Sequence, residues 1–297
     1  MEKAQSKSLT ISIPKLNDPR VTLAAALTLW TILGQTTYYF NRDPLQIGIA
    51  MGVGMLIDFL IALIRQRQIM VPLSAYITGL SVGILLESHD WRVYAVASAW
   101  GVLSKYLIYD GTRHVFNPSN FAIVMALLLL HGEASIAPGS QWGADYRVAL
   151  VIMVLGLMLM RRVQRLDLVL AWLGGYLVMG LVRMALGQGG LVFVLGPLTG
   201  AEFALFSFSM LPDPKVTPPT PRGRILYGLS IAVLDGVLRY LEIRYSMFYS
   251  LFVHTALMPL VRRAALRAGV QETDPWKVLV LPLRRAAAPV ANPAEAR

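Results

Sequence analysis

Apolar residues run along this chain in long blocks, separated by short polar stretches. The blocks fall near 21–39, 46–64, 71–87, 92–109, 118–131, 147–160, 167–186, 191–211, 224–241 and 246–261. A membrane-crossing helix needs roughly 17–25 mostly apolar residues, so the pattern predicts about ten transmembrane helices, the fifth and sixth of them short. Four blocks are announced in the same way, by Asp18-Pro19, Asp43-Pro44, Asn117-Pro118 and Thr220-Pro221. A side-chain acceptor at the N-cap followed by proline at the first helical position loses no useful amide. Residues 1–20 are polar and mixed in charge, without the apolar core of a signal peptide, and read as a cytoplasmic tail. Residues 266–297 are rich in Ala, Pro and Arg and read as a second, disordered cytoplasmic tail.

Composition agrees with that pattern. Of the 297 residues 56% are hydrophobic and 15% charged, against about 25% charged in soluble domains. The formal charge of +10 is explained by orientation, with no nucleic-acid partner. If both ends of the chain face the cytoplasm, 21 of the 27 Lys and Arg fall on that side, as the positive-inside rule requires. An odd number of crossings would scramble the asymmetry. The chain has no cysteine, which removes disulfides, thiolate catalysis and Cys-ligated clusters from what it can carry.

The third and eighth blocks share a short signature. Each holds a Thr-Gly pair (Thr78-Gly79 and Thr199-Gly200) preceded by a proline, Pro72 or Pro197. They lie five blocks apart, so the stretches 21–131 and 147–261 would form two halves inverted in the bilayer, an arrangement known from transporters.

Candidate chemistry gathers in two loops that the charge count assigns to the cytoplasmic face. The first is GTRHVFNPSNF, residues 111–121. Asn117 would cap a helix whose first amides, near Ser119 and Asn120, favour an anion such as phosphate or a reduced flavin ring. Arg113 and His114 add donors beside it. The same residues also suit an ordinary capped helix with snorkelling basic side chains. The second loop, MLPDPKVTPPTPRGR (210–224), has five prolines between Pro212 and Pro221 that would hold Asp213 and Lys215 on a stiff backbone; a rigid inter-helix turn explains it equally.

Within the apolar blocks, Glu202, Asp58 and Asp235 are candidates for an ion or proton pathway, since burying a carboxylate is costly. Asp235 has Arg239 four residues on, which predicts an ion pair. Asp58 lies toward the cytoplasmic end, where water could reach it, and Glu202 has no local partner. The four histidines are not spaced to share an iron, and no metal site is expected. Gly-Gln-Gly-Gly at 187–190 lacks a strand before it and reads as a loop.

Taken together and in order, SAYITGLSVGILL (74–86), SKYLIYDGTRHVFNPSNFAIVMALLL (104–129) and SMLPDPKVTPPTPRGRILYG (209–228) resemble the membrane-subunit family of RnfD, from the Rnf electron-transport complex, and NqrB, from the sodium-translocating NADH:quinone reductase. NDPRVTLAAAL (17–27) is more similar to stand-alone RnfD-like proteins, some of them encoded beside enediyne-biosynthesis genes. The resemblance spans residues 17–265. It implies an all-α polytopic protein of ten helices in two inverted five-helix halves, multi-pass in a bacterial-type plasma membrane. It also implies flavin-dependent electron transport, in some members coupled to Na+ or H+ movement, with separate redox subunits or a donor protein as partners. Arg113, His114, Asn117, Ser119, Asn120, Asp213 and Lys215 would then border a site for FMN or riboflavin. Family members attach FMN through a Thr in the loop after the fifth helix; here that loop, 131–147, has no Thr, so the flavin is expected to be non-covalent. A secondary transporter or a cofactor-less scaffold on the same fold is the competing reading.

Overall fold

A computed structural model describes residues 10–15, 18–37, 43–110, 113–137 and 146–267. Both expected tails, most of the loop between the fifth and sixth blocks, and Gly111 and Thr112 at the tip of the first candidate loop lie wholly or largely outside these residues. The described chain is all-α apart from short strands. Its helices are α1 (Pro19–Thr37), α2 (Pro44–Gln66), α3 (Leu73–Leu85), α4 (Trp91–Leu107), α5 (Pro118–Leu129), α6 (Tyr146–Arg162), α7 (Leu166–Ala185), α8 (Leu191–Leu195), α9 (Ala201–Leu205), α10 (Pro221–Tyr240) and α11 (Ser246–Arg267). Two of them, α2 and α7, are long and apolar enough to cross a membrane, and a third crossing results if the bent run from Leu191 to Met210 counts as one.

Each predicted block is helical, but the eighth is not one helix. α8 passes into a 3-10 turn (Gly196–Thr199), α9 follows Gly200, and a π-turn (Phe206–Met210) completes the run. The two arms are bent by 68°. Pro197 lies inside this run, where it lacks an amide for the helical ladder and crowds the preceding turn.

The proline-capped starts form as the sequence requires. Asp43 accepts a hydrogen bond from the amide of Leu45 at 2.8 Å, Thr220 from Gly223 at 3.1 Å and Asn117 from Asn120 at 3.0 Å. Asp18 accepts from the amide of Arg20 at 2.9 Å.

α3 and α5 are the short, deeply buried helices. Their 13 and 12 residues span only about 20 and 18 Å at 1.5 Å per residue. Beyond them the chain is extended: β3 (Leu86–Glu87) pairs antiparallel with β6 (Ser135–Ile136), and the amide of Ala137 donates to the carbonyl of Leu85 at 2.8 Å. The two truncated helices thus satisfy each other's trailing backbone, which burial demands. Part of the expected N-terminal tail is also ordered by pairing, as β1 (Thr10–Ser12) runs parallel to β2 (Gln68–Met70). The remaining pair, β4 (Tyr109–Asp110) and β5 (Arg113–His114), is the hairpin of the first candidate loop.

α2 packs on α3 and α4, α4 on α5, and α1 on α3; α7 packs on α10, α10 on α11, and α6 on α9 and the turns flanking it. α2 and α3 touch backbone to backbone, because a Cβ on Gly79 would sit 2.5 Å from the carbonyl oxygen of Ala50. The largest core cluster surrounds Trp172, with Phe203, Phe206, Tyr227 and Phe248, and the Trp172 indole donates to Ser207 Oγ at 2.9 Å.

Candidate functional site

The two candidate loops meet. Asn117 precedes a proline and so takes extended backbone (φ −66°, ψ 127°). Its Oδ1 is used on the Asn120 amide, which leaves its Nδ2 to reach across and donate to Asp213 Oδ2 at 2.9 Å. Asn120 in turn donates from Nδ2 to the carbonyl of Phe248 on α11 at 3.2 Å. One amide side chain therefore joins the loops, and the next fixes α5 to α11.

On the other side of that bond Asp213 organises its own loop. Its Oδ1 accepts from the Lys215 amide at 2.9 Å, and its carbonyl accepts from the amides of Val216 and Thr217 and from Thr217 Oγ1. Prolines supply carbonyls but no amides, and arginines reach the carbonyls of this loop. Arg113 approaches Thr217 O at 3.5 Å, Arg165 donates to Pro218 O at 3.3 Å and Arg224 to Pro219 O at 2.8 Å. Arg224 is anchored by Asp167 at 2.7 Å.

Cavities flank this joint on both sides. A small cleft of about 60 Å³ is lined by Asp110, Arg113, His114, Lys215, Thr255 and Arg262, among others. Burial lowers the His114 pKa, an effect that nearby Asp213 only partly opposes, so its imidazole is neutral at pH 7. A larger cleft of about 360 Å³ opens between α1, α6 and the proline loop, with Arg20, Arg162, Arg165, Ser209 and Asp213 in its wall. It adjoins an apolar cavity of about 360 Å³ that reaches past Trp30, Ile152 and Leu155. Ser209 and Phe208 line both, and Ser209 Oγ is buried there with no hydrogen-bond partner among the described residues.

Of the residues singled out in the sequence, Arg113, His114 and Lys215 line the small cleft and Asp213 the large one. Asn117, Ser119 and Asn120 are buried and line none of these three cavities; Asn117 joins the two loops and Asn120 ties α5 to α11. The residues that sequence reasoning missed are Arg20, Arg162, Arg165 and Ser209. The basic residues at the end of α6 and just beyond it, Arg161, Arg162 and Arg165, were the signal in the sequence.

The pathway candidates divide. Asp58 does not reach water: it is 1% exposed and accepts from Lys105 Nζ at 2.6 Å and Tyr106 Oη at 2.6 Å. Lys105, a lysine in the last turn of the apolar helix α4, was the clue. Asp235 pairs with Arg239 at 2.7 Å as its spacing predicts, and also accepts from Ser246 Oγ at 2.6 Å. Glu202 stands in the first turn of α9, beside the break, with Oε2 buried and without a hydrogen-bond partner among the described residues. Among the described residues no group of three or more His, Asp or Glu is placed to hold a metal ion.

Compared with known proteins, the chain matches no protein-family model and no curated protein.

Proposed function

We propose that the protein is the integral membrane subunit of an RnfD-like, flavin-dependent electron-transport system. The observation that carries the reading is the Asn117–Asp213 bond. It joins the two loops on which the family resemblance rests, against the wall of a cleft large enough for a flavin. Ligand sites have volumes of roughly 300–1,000 Å³, which the large cleft meets at about 360 Å³ and the small one does not. The unsatisfied hydroxyl of Ser209 and the guanidinium groups of Arg162 and Arg165 are the donors that an anionic heterocycle or its phosphate requires. A flavin bound there would supply the change between one- and two-electron carriers. Asp213 is shared with the site expected from the sequence, whereas Arg113, His114 and Lys215 fall on the far side of the joint. With no Thr between residues 131 and 147, the flavin is held without a covalent link.

The membrane setting rests on three observations. A broad apolar surface is exposed, including Leu29, Ile32, Leu56, Leu150, Leu181 and Leu257, where soluble monomers rarely leave large apolar patches. The packing order recurs: α1 on α3, α2 on α4 and α4 on α5 are repeated by α6 on α9, α7 on α10 and α10 on α11, as two five-helix halves would require. Buried ion pairs sit at opposite ends of the bundle, Asp58–Lys105 on the candidate-loop end and Asp235–Arg239 on the other. In this reading ten helical segments cross a bacterial-type plasma membrane with both termini in the cytoplasm. The loop end faces soluble or membrane redox partners that deliver electrons.

Arg165→Gln and Ser209→Val should each lower flavin occupancy in gently extracted protein. Unchanged occupancy in both would remove the site.

A second reading, coupled ion transport, is favoured by Glu202. A carboxylate with an unsatisfied buried oxygen at a helix break suits a group that gains and loses a cation or proton. Asp58 and Asp235 are engaged in ion pairs and serve structure. Normal coupled ion movement by Glu202→Gln in vesicles would end this second reading.

A further inference from the structure

We infer that the small cleft on the far side of the Asn117–Asp213 joint is a binding site for a phosphate-class oxyanion, separate from the flavin cleft. The cleft is built where the β4–β5 hairpin, the proline loop and the end of α11 converge. Antiparallel pairing sets Asp110 opposite Arg113, α11 brings Arg262 to within 3.2 Å of Asp110, and the turn after Asp213 presents Lys215. Three permanent cations thus face one carboxylate, and that carboxylate is already held by Arg262. Arg113 spends little of its capacity, since the one hydrogen bond found for it among the described residues is the long 3.5 Å contact with Thr217 O. Lys215 Nζ makes no hydrogen bond or ion pair with any described residue.

Size selects the class of anion. At roughly 10–15 Å³ for each water-sized group, about 60 Å³ takes the five heavy atoms of a phosphate. Arginine in such a place favours tetrahedral or planar oxyanions, to which its fork can donate twice. Thr255, Met258 and Pro259 of α11 form the remaining wall, so the phosphate could be free in solution or carried on a lipid headgroup at the membrane edge. The inference stands on the charges and volume of this cleft and does not depend on flavin in the other.

The test uses the full-length protein in a neutral detergent, with thermal stability followed at constant ionic strength. Inorganic phosphate is titrated in one arm, and short-chain phosphatidic acid against short-chain phosphatidylcholine in the other. A saturable stabilisation by phosphate is expected, or by phosphatidic acid alone if the headgroup is the natural source. Lys215→Gln, an exposed position that folding tolerates, should weaken the apparent affinity about tenfold, the loss of one charge-assisted hydrogen bond. Arg113→Gln should do the same, and Arg222→Gln, exposed and outside the cleft, should leave it unchanged. The inference is overturned if neither ligand gives a saturable shift, or if Lys215→Gln responds like the parent protein.

Discussion

Residues 73–85 and 191–210 carry the same Thr-Gly pair and have opposite structures. In α3 the helix runs straight through it. Thr78 donates back to the Ser74 carbonyl at 3.0 Å, and Gly79 lets the backbone of α2 press against the helix. In the later stretch Thr199 ends a 3-10 turn, and Gly200 is extended at φ −83°, ψ 142°. The deciding difference is the position of a proline. Pro72 stands at the N-cap of α3, six residues before its Thr, where its missing amide costs nothing. Pro197 is two residues before its Thr, inside the run, and helps to break it. A shared dipeptide therefore does not fix the conformation of the stretch that carries it. The continuous stretch packs beside a satisfied ion pair; the broken one carries a half-buried carboxylate whose Oε2 has no hydrogen-bond partner among the described residues.

That contrast is open to attack by mutation, beginning where the effect is largest. Asp58→Ala leaves Lys105 buried and uncompensated beneath the α2–α3–α4 packing. It should cost about 3–5 kcal/mol, seen as a large fall in melting temperature in detergent; a fall of under a third of that size would mean that water reaches the pair. Gly79→Val pushes a branched side chain into the α2 backbone and should cost about 1–3 kcal/mol or more in the same assay. Gly200→Ala, by contrast, meets only the flexible end of Glu202 at a φ any residue adopts. It should change stability by less than about 1 kcal/mol, and equal losses at Gly79 and Gly200 would erase the distinction between the two stretches. Smallest of all is Glu202→Gln, which removes a charge that makes no ion pair among the described residues. It should leave the melting temperature level or slightly raised, and a strongly destabilised variant would show that the carboxylate is structural.

The helices were legible in the sequence because apolar blocks and Asx-Pro or Thr-Pro caps are local signals. Asp235–Arg239 was legible for the same reason, being four residues apart on one helix. Asp58–Lys105 was not, since its partners come from different helices and only packing brings them together. The break at Gly200 was encoded by Pro197, yet hydropathy alone read the stretch as continuous. At the candidate site, Asn117 and Asp213 were recognisable as candidates, but the hydrogen bond between them, across 96 residues of sequence, was not. The cleft beside them draws on Arg20, Arg162, Arg165 and Ser209 from three separate elements, a convergence that no spacing along the chain announces. The β3–β6 pairing was hidden too, because two residues of strand carry no periodicity.

The most direct measurement is the absorption spectrum of the full-length protein after gentle extraction, followed by precipitation and a second spectrum of the supernatant. Flavin bands in the purified protein that leave entirely with the supernatant, as a bound but unattached cofactor must, are the expected result. Protein that carries no flavin in either fraction would contradict it.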